Sequence, residues 1–344
     1  MNAPTQQDAF AVLCLQAADA GRGPVLLGDS VPRARELVAP FLVGDLMPEI
    51  YLEFPLAGEP FMDVTLLYGV LPEGVQIGSP LVEGTSEAFG LFQQWRAQDE
   101  RVACGYELDC GSAGRAAAGM HFQPRSHREF VEPFCEALGE PERARLYLAQ
   151  DARMPQDWPL SFFGLFRGRP DYPLRVCGYL GDDEVESCSR DPRRIASALS
   201  QAGFEAFDDT MLEQAARVLE LRGDSVDFQL DVMPDGSLGS TFAFDLRFDE
   251  MRAEEARDSF RSGSARGLVE QLQGWGIADE RADLMADLAF TRGIPVRGDD
   301  GSMRGYGFSL VPGWLKVRWK DGVLQPAKMY LRASAGFLKE RERP

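Results

Sequence analysis

The chain has 344 residues, 44% hydrophobic and 26% charged, and carries a formal net charge of −18. That balance is ordinary for a soluble globular protein and argues against nucleic acid as a partner, because phosphate binding needs a basic field. Residues 1–7 are polar and uncharged, no apolar run reaches membrane-span length, and the six cysteines form no C-x-x-C pair. A signal peptide, a membrane partner, a zinc ribbon and a redox motif are therefore not expected, and a reduced cytoplasmic setting is the simplest reading.

Two N-terminal helices are expected at 6–20 and 32–43, the second entered near Asp29-Ser30 with Pro32 in its first turn. A unit then recurs: two short strands joined by a turn, followed by helices. The hairpins read as 50–54 with 63–68, 102–108 with 117–123, 162–166 with 174–180, 226–232 with 241–248, and 314–319 with 327–332. Helical patterns fall between them at 86–98, 128–138 with 141–150, 192–202 with 210–221, and 251–273 with 279–290. Gly139, Gly203 and Gly276 each stand just past a helix, where a left-handed cap is expected. The stretches 198–204 and 271–277 resemble each other, so the repeat is structural, with little residue identity. No Pro/Gly/Ser linker marks a boundary, and residues 298–304 read only as a short mobile loop. One domain over 1–344 is expected, with helices in 1–45, repeats in 46–335 and a short basic tail at 336–344.

The strands alternate strongly. Val226, Phe228, Leu230 and Val232 oppose Asp227, Gln229 and Asp231, while Phe242, Phe244, Leu246 and Phe248 oppose Thr241, Ala243, Asp245 and Arg247. In the last hairpin Leu315, Val317 and Trp319 oppose Lys316, Arg318 and Lys320, and Met329 and Leu331 oppose Lys328, Tyr330 and Arg332. Ile50, Leu52 and Phe54 oppose Glu49, Tyr51 and Glu53; Leu174, Val176 and Leu180 oppose Arg175, Cys177 and Tyr179. Glu107 and His121 fall on the more polar side of their hairpin. The apolar face needs a cover of helices. Acids, bases and tyrosines on the other face favour a closed α+β barrel of about ten antiparallel strands, with helices outside and a wet lumen, over an open sheet facing water.

Charge along the chain is uneven. Residues 314–344 hold 8 Lys/Arg against 3 Asp/Glu, leaving 28 basic and 51 acidic groups for the rest. Lys339, Arg341 and Arg343 lie past the last strand. The strand cations Lys316, Arg318, Lys328 and Arg332, joined by Arg175 and Arg247 from the same polar face, predict an anion site. Asp321-Gly322 is a type I′ hairpin signal. A two-residue loop there would set Leu315 opposite Lys328 and break the faces, so a one-residue bulge is expected near Gln325-Pro326.

Other motifs fail. No G-x-x-x-x-G-K-[ST] loop or G-x-S-x-G elbow occurs, and Gly21-Arg22-Gly23 lacks the rest of a dinucleotide fingerprint. With only His121 and His127 present, a His-rich metal site is excluded, and His121 reads as a lumen hydrogen-bonding group in preference to a general base. Asp182-Asp183-Glu184 and Asp299-Asp300 read as solvated turns. No protein metal site is expected.

Repeated αββα units around a ten-stranded barrel resemble the ABBA, or PT-barrel, prenyltransferases, which modify aromatic small molecules, indoles and ribosomally made peptides. The resemblance covers residues ~45–335 as architecture. Leu315-Lys316-Val317-Arg318 and Ala327-Lys328-Met329-Tyr330-Leu331 are similar to the strands with which that family grips diphosphate. An acid on the first barrel strand, Glu49 or Glu53, resembles the carboxylate that orients the acceptor. The chain departs from the family in having only eight tyrosines and in gathering its basic residues in the last hairpin. The resemblance implies an enzyme, a transferase of prenyl groups from an allylic diphosphate. Lys316, Arg318, Lys328, Arg332, Arg175 and Arg247 would bind the diphosphate, Tyr51, Tyr179 and Tyr330 would flank the allylic cation, and Glu53, with Glu49 second, would hold the acceptor away from the diphosphate. No cofactor is required by the residues, although Mg²⁺ could accompany the diphosphate, bridged to Asp227 or Asp245. A peptide acceptor in RiPP biosynthesis is preferred because so few aromatics suit an open mouth. The alternatives are a small indole or phenol acceptor, or a non-catalytic barrel or sheet binding a peptide or small anion.

Overall fold

Alternating apolar and polar residues make every predicted hairpin form. The computed structural model describes residues 4–17, 26–42, 48–68, 85–110, 118–124, 127–166, 172–224, 226–248, 251–297 and 302–338. The strands are β1 (Glu49–Pro55), β2 (Asp63–Tyr68), β3 (Ala103–Leu108), β4 (Ala118–Gln123), β5 (Leu160–Leu165), β6 (Leu174–Leu180), β7 (Val226–Val232), β8 (Leu238–Arg247), β9 (Phe290–Arg297), β10 (Met303–Lys320), β11 (Val323–Leu324) and β12 (Lys328–Phe337). Strands β1 to β8 pair in chain order, all antiparallel. β12 pairs with β1, β10 pairs with β12, and the C-terminal half of β10 pairs with β8, which closes a ten-stranded barrel. The open-sheet alternative is thereby excluded. Closure leaves the ten barrel strands without a free edge.

The two faces fall as the alternation requires. Phe228, Leu230, Phe242, Phe244, Val317 and Met329 are fully or almost fully buried, in one core with helix residues such as Ile195, Leu199, Met211 and Leu219. The Trp158 ring packs on Phe228 at 5.0 Å, and Trp319 Nε1 donates to Gln214 on the helix Asp209–Arg222 at 3.0 Å. Burial of such aromatic side chains stabilises the layer by roughly 1.5–3 kcal/mol each.

Two irregularities set the lumen. Asp321 and Gly322 have φ of 53° and 74°, the type I′ turn, and Trp319 pairs with Leu324. Past Pro326 the register has moved by one residue, so Lys316 opposes Lys328 and Leu315 opposes Met329. The bulge expected near Gln325-Pro326 is present. A second bulge, unforeseen, lies between Pro312 and Trp314. A Cβ on Gly313 would come within 2.8 Å of the Tyr51 ring, so glycine is needed there.

Several expectations need correction. Asp182-Asp183-Glu184 is no solvated turn; it opens the helix Asp182–Arg190, where three acids face the positive end of the helix dipole. The stretch 251–273 is two helices, Ala253–Ser262 and Ser264–Gly274, broken at Gly263. Residues 279–290 form a 3₁₀ turn and one short helix before β9 begins at Phe290. β9 was not legible, and β10 runs 18 residues instead of the expected six. The left-handed glycines at 139, 203 and 276 are as expected. Asp299-Asp300, Gly21–Gly23 and the basic residues of the tail at 339–343 lie outside the described residues, as do 298–301 of the expected loop.

Candidate active site in the barrel lumen

Polar residues of alternate positions point inward from all around the barrel and enclose two adjoining compartments. The upper one, about 430 Å³, is lined by Glu53, Asp63, Glu107, Asp109, Arg175, Gln229, Asp231, Thr241, Lys316, Arg318, Lys320 and Lys328, with Pro173 and Leu230. The lower one is narrower. It is lined by Thr65, Leu67, Glu107, His121, Gln123, Phe162, Asp227, Gln229, Asp245, Arg247, Trp314, Lys316 and Tyr330. Glu107, Gln229 and Lys316 border both.

Cations predominate on one wall of the upper compartment, with Asp231 among them, and acids on the other. Arg175, Lys316, Arg318, Lys320 and Lys328 come from β6, β10 and β12; Asp63, Glu107 and Asp109 come from β2, β3 and the residue beyond β3. Glu53 sits at the seam between the walls, because β1 pairs with β12 on one side and β2 on the other. Lys328 Nζ donates to Glu53 Oε1. Glu53 is 2% exposed, and its Oε2 has no hydrogen-bond partner among the described residues. Burial raises its pKa, but Lys328 and Lys316 outweigh burial and the nearby Glu107, so the carboxyl is held below its ordinary value.

Most lumen cations have a carboxylate beside them. Lys316 Nζ lies 3.6 Å from Asp245 and 5.0 Å from the centre of the Tyr330 ring. Arg175 lies 3.3 Å from Asp231, its guanidinium 4.7 Å from the Phe166 ring centre. Arg318 differs: its guanidinium makes no hydrogen bond or ion pair with the described residues. Burial, and then the neighbouring Arg175, lower its pKa, which marks a charge short of compensation.

The lower compartment sets three aromatic rings, Phe162, Trp314 and Tyr330, among its polar residues. Trp314 lies with its ring 5.8 Å from that of Tyr330. Burial pushes the Tyr330 phenol well above its ordinary pKa, with Glu53 and Asp245 adding to the shift. His121 Nε2 and Glu107 Oε2 are 2.9 Å apart, both side chains nearly buried.

Of the residues singled out in the sequence, Glu53, Arg175, Lys316, Arg318, Lys328 and Tyr330 converge on these compartments. Arg247 borders only the lower one and is held by Asp227 at 2.8 Å. Arg332 and Glu49 line neither; they pair with each other at 3.6 Å toward the other end of the barrel. Tyr51 is buried behind Trp314, stacked on it at 4.0 Å, and Tyr179 is 36% exposed outside both compartments. The expectation that Glu53 stands away from the cations meets the opposite geometry, since Lys328 is its direct partner. Trp314 and Phe162 were missed. Trp314 shares the parity of Lys316 and Phe162 that of Gly164, which opposes Arg175, so both could have been read.

Asp227 and Asp245 oppose each other across β7 and β8. Arg247 holds one; Gln229 and Lys316 hold the other. Among the described residues no three metal-ligating side chains come together. Each of these two carboxylates thus already faces a cation of the lumen.

The ten-stranded antiparallel barrel wrapped by helices, with its polar lumen, has the ABBA or PT-barrel fold. Solved structures of that fold are similar along nearly the whole chain. They include the 5-dimethylallyltryptophan synthase of Streptomyces coelicolor (TM-score 0.55, 14% identity, covering 97% of this chain and 98% of that one). Similar too are the prenyltransferase PriB in a ternary complex with L-tryptophan and dimethylallyl thiolodiphosphate (TM-score 0.53, 13% identity, 99% and 100% covered) and AnaPT of Neosartorya fischeri (TM-score 0.52, 10% identity, 98% and 96% covered). No protein-family model matches the sequence, and a search of curated proteins finds no match. No described helix is long and apolar enough to cross a membrane.

Proposed function

We propose that this protein is a prenyltransferase that moves an allylic group from a prenyl diphosphate to the ring of a small indole or related aromatic acceptor. The observation that carries the reading is the half-buried Arg318, unpaired with the described residues, among four further cations and directly above a chamber that Phe162, Trp314 and Tyr330 help to line. A diphosphate would supply the negative charge that this guanidinium lacks. Charge-assisted bonds from Arg318, Lys316, Lys328, Lys320 and Arg175 would stabilise charge growing on the leaving oxygen as the allylic C–O bond breaks. Tyr330 and Trp314 would face the resulting cation and exclude water that would quench it. Glu53 Oε2, buried without a donor, would accept a hydrogen bond from an acceptor N–H or O–H, because a buried unsatisfied oxygen is costly. In this reading Arg332, Glu49, Tyr51 and Tyr179 support the barrel and do not touch substrate.

The peptide acceptor preferred from the sequence gives way to the aromatic one. The lower chamber is narrow, and the similar PriB structure is a complex with L-tryptophan and a dimethylallyl thiolodiphosphate. The purified chain, incubated with dimethylallyl diphosphate and a panel of tryptophan, indoles, phenols and Trp- or Tyr-containing peptides, should add one prenyl group to a small aromatic, read by mass spectrometry. Product on peptides alone would restore the peptide reading. Absence of product together with absence of diphosphate binding would remove the enzyme reading and leave a non-catalytic barrel.

A further inference from the structure

We propose that His121, oriented by Glu107, takes the proton released when the aromatic ring is substituted; the inference rests on the prenyl-transfer reading above. After the allylic carbon bonds to a ring carbon, the electron pair of the broken C–O bond leaves with the diphosphate. The substituted ring carbon then holds both the new group and its hydrogen. Aromaticity returns only when that C–H pair flows back into the ring and the proton goes to a base.

The lower chamber holds few groups able to be that base. Asp227 is ion-paired with Arg247, Asp245 with Lys316, and Glu53 above with Lys328, so each of these carboxylates would have to give up the attraction of its cation to take a proton. An arginine does not give up its proton. His121 is left. With Nε2–H donated to Glu107, its lone pair is on Nδ1, which has no hydrogen bond with the described residues, while the ring borders the chamber. The imidazole is also clamped. It packs edge-on against Phe166, with centroids 5.2 Å apart, and a Cβ on Gly164 would stand 3.1 Å from its Cε1. Glu107 is a positioning residue: it fixes the tautomer and would stabilise the imidazolium after transfer. The pair bridges β3 and β4 at adjacent inward positions, so the barrel sets its geometry.

The test uses the full chain with an acceptor carrying deuterium at the substituted carbon. In the wild type, loss of the proton should be fast and turnover should show little isotope effect. His121→Gln keeps a hydrogen-bonding group near Glu107 but no base; turnover should fall by ~10²–10⁴-fold. A primary isotope effect should appear on what remains, and donor affinity should be unchanged. Positional isotope exchange in recovered donor should rise, because the intermediate reverts. Glu107→Gln, which keeps a partner for the imidazole without its charge, should show a smaller loss with the same isotope effect. Wild-type turnover in His121→Gln, or slowing without an isotope effect in both variants, would overturn the inference and leave the prenyl-transfer reading intact. If His121→Gln does not fold, Glu107→Gln and His121→Asn decide by the same isotope effect. Failure of the wild type to make product with any acceptor would remove both.

Discussion

Arg318 near the mouth of the barrel and the arginines toward its other end all stand at inward positions of barrel strands, yet differ in electrical state. Arg247 and Arg332 lie beside Asp227 and Glu49, at 2.8 Å and 3.6 Å. Arg318 on β10 lies among other cations with no carboxylate of its own, and Lys328 shares the seam with a half-satisfied Glu53. A residue type on a polar strand face therefore says little about binding. Whether its charge has already been compensated by a neighbouring strand decides that, since a buried uncompensated charge is costly unless a ligand completes it.

The sharpest way to break this comparison is to exchange acids at its two ends. Glu53→Gln should slow transfer at saturating donor by roughly 10²-fold, the cost of a misplaced acceptor, whereas Glu49→Gln should leave turnover near wild type. Steady-state kinetics of the two variants with one acceptor would separate them; equal losses would erase the distinction.

Next come the cations. Arg318→Ala should weaken binding of a non-hydrolysable thiolodiphosphate by about 10- to 100-fold, from the roughly 1.5–3 kcal/mol of a charged hydrogen bond. Arg247→Ala should leave that affinity within error but destabilise the fold by ~3–5 kcal/mol, because the buried Asp227 loses its ion-pair partner. Calorimetry and urea titration on both proteins give the two readouts. Reversed behaviour would place the anion at the lower end.

The pH dependence of stability offers a finer test. The Glu53 carboxyl is held below its ordinary pKa when folded, so its contribution is present above the unfolded carboxylate value and is lost as pH falls through the folded one. The stability gap between wild type and Glu53→Gln should therefore be larger at about pH 7 than at about pH 3, below the ~4.3 of an unfolded glutamate. A gap that widens in acid would mean that burial wins over Lys328 and Lys316.

The smallest effect is expected at Arg332. Its pair with the half-exposed Glu49 is worth ~0–1 kcal/mol, so Arg332→Ala should shift the urea midpoint slightly and leave donor affinity unchanged. A tenfold loss of affinity would return Arg332 to the anion site.

Period-two alternation determined much of this protein by itself. Successive side chains of a strand point to opposite faces, so Phe228 and Val317 had to seek a helical cover while Asp227 and Lys316 could not. The type I′ signal at Asp321-Gly322, read against those faces, required the bulge near Pro326 that the structure contains. The tertiary structure decided what no local pattern holds. The closing pairs of β10 with β8 and β12 bring Lys328 to Glu53, residues 275 positions apart. Bulges at Gly313 and before Phe162 redirect side chains that strict alternation would send elsewhere, and pairing across the lumen settles which cation keeps a free charge. Those outcomes depend on register between distant strands. Register is fixed by packing of the whole barrel, and a one-residue slip would turn every inward group outward.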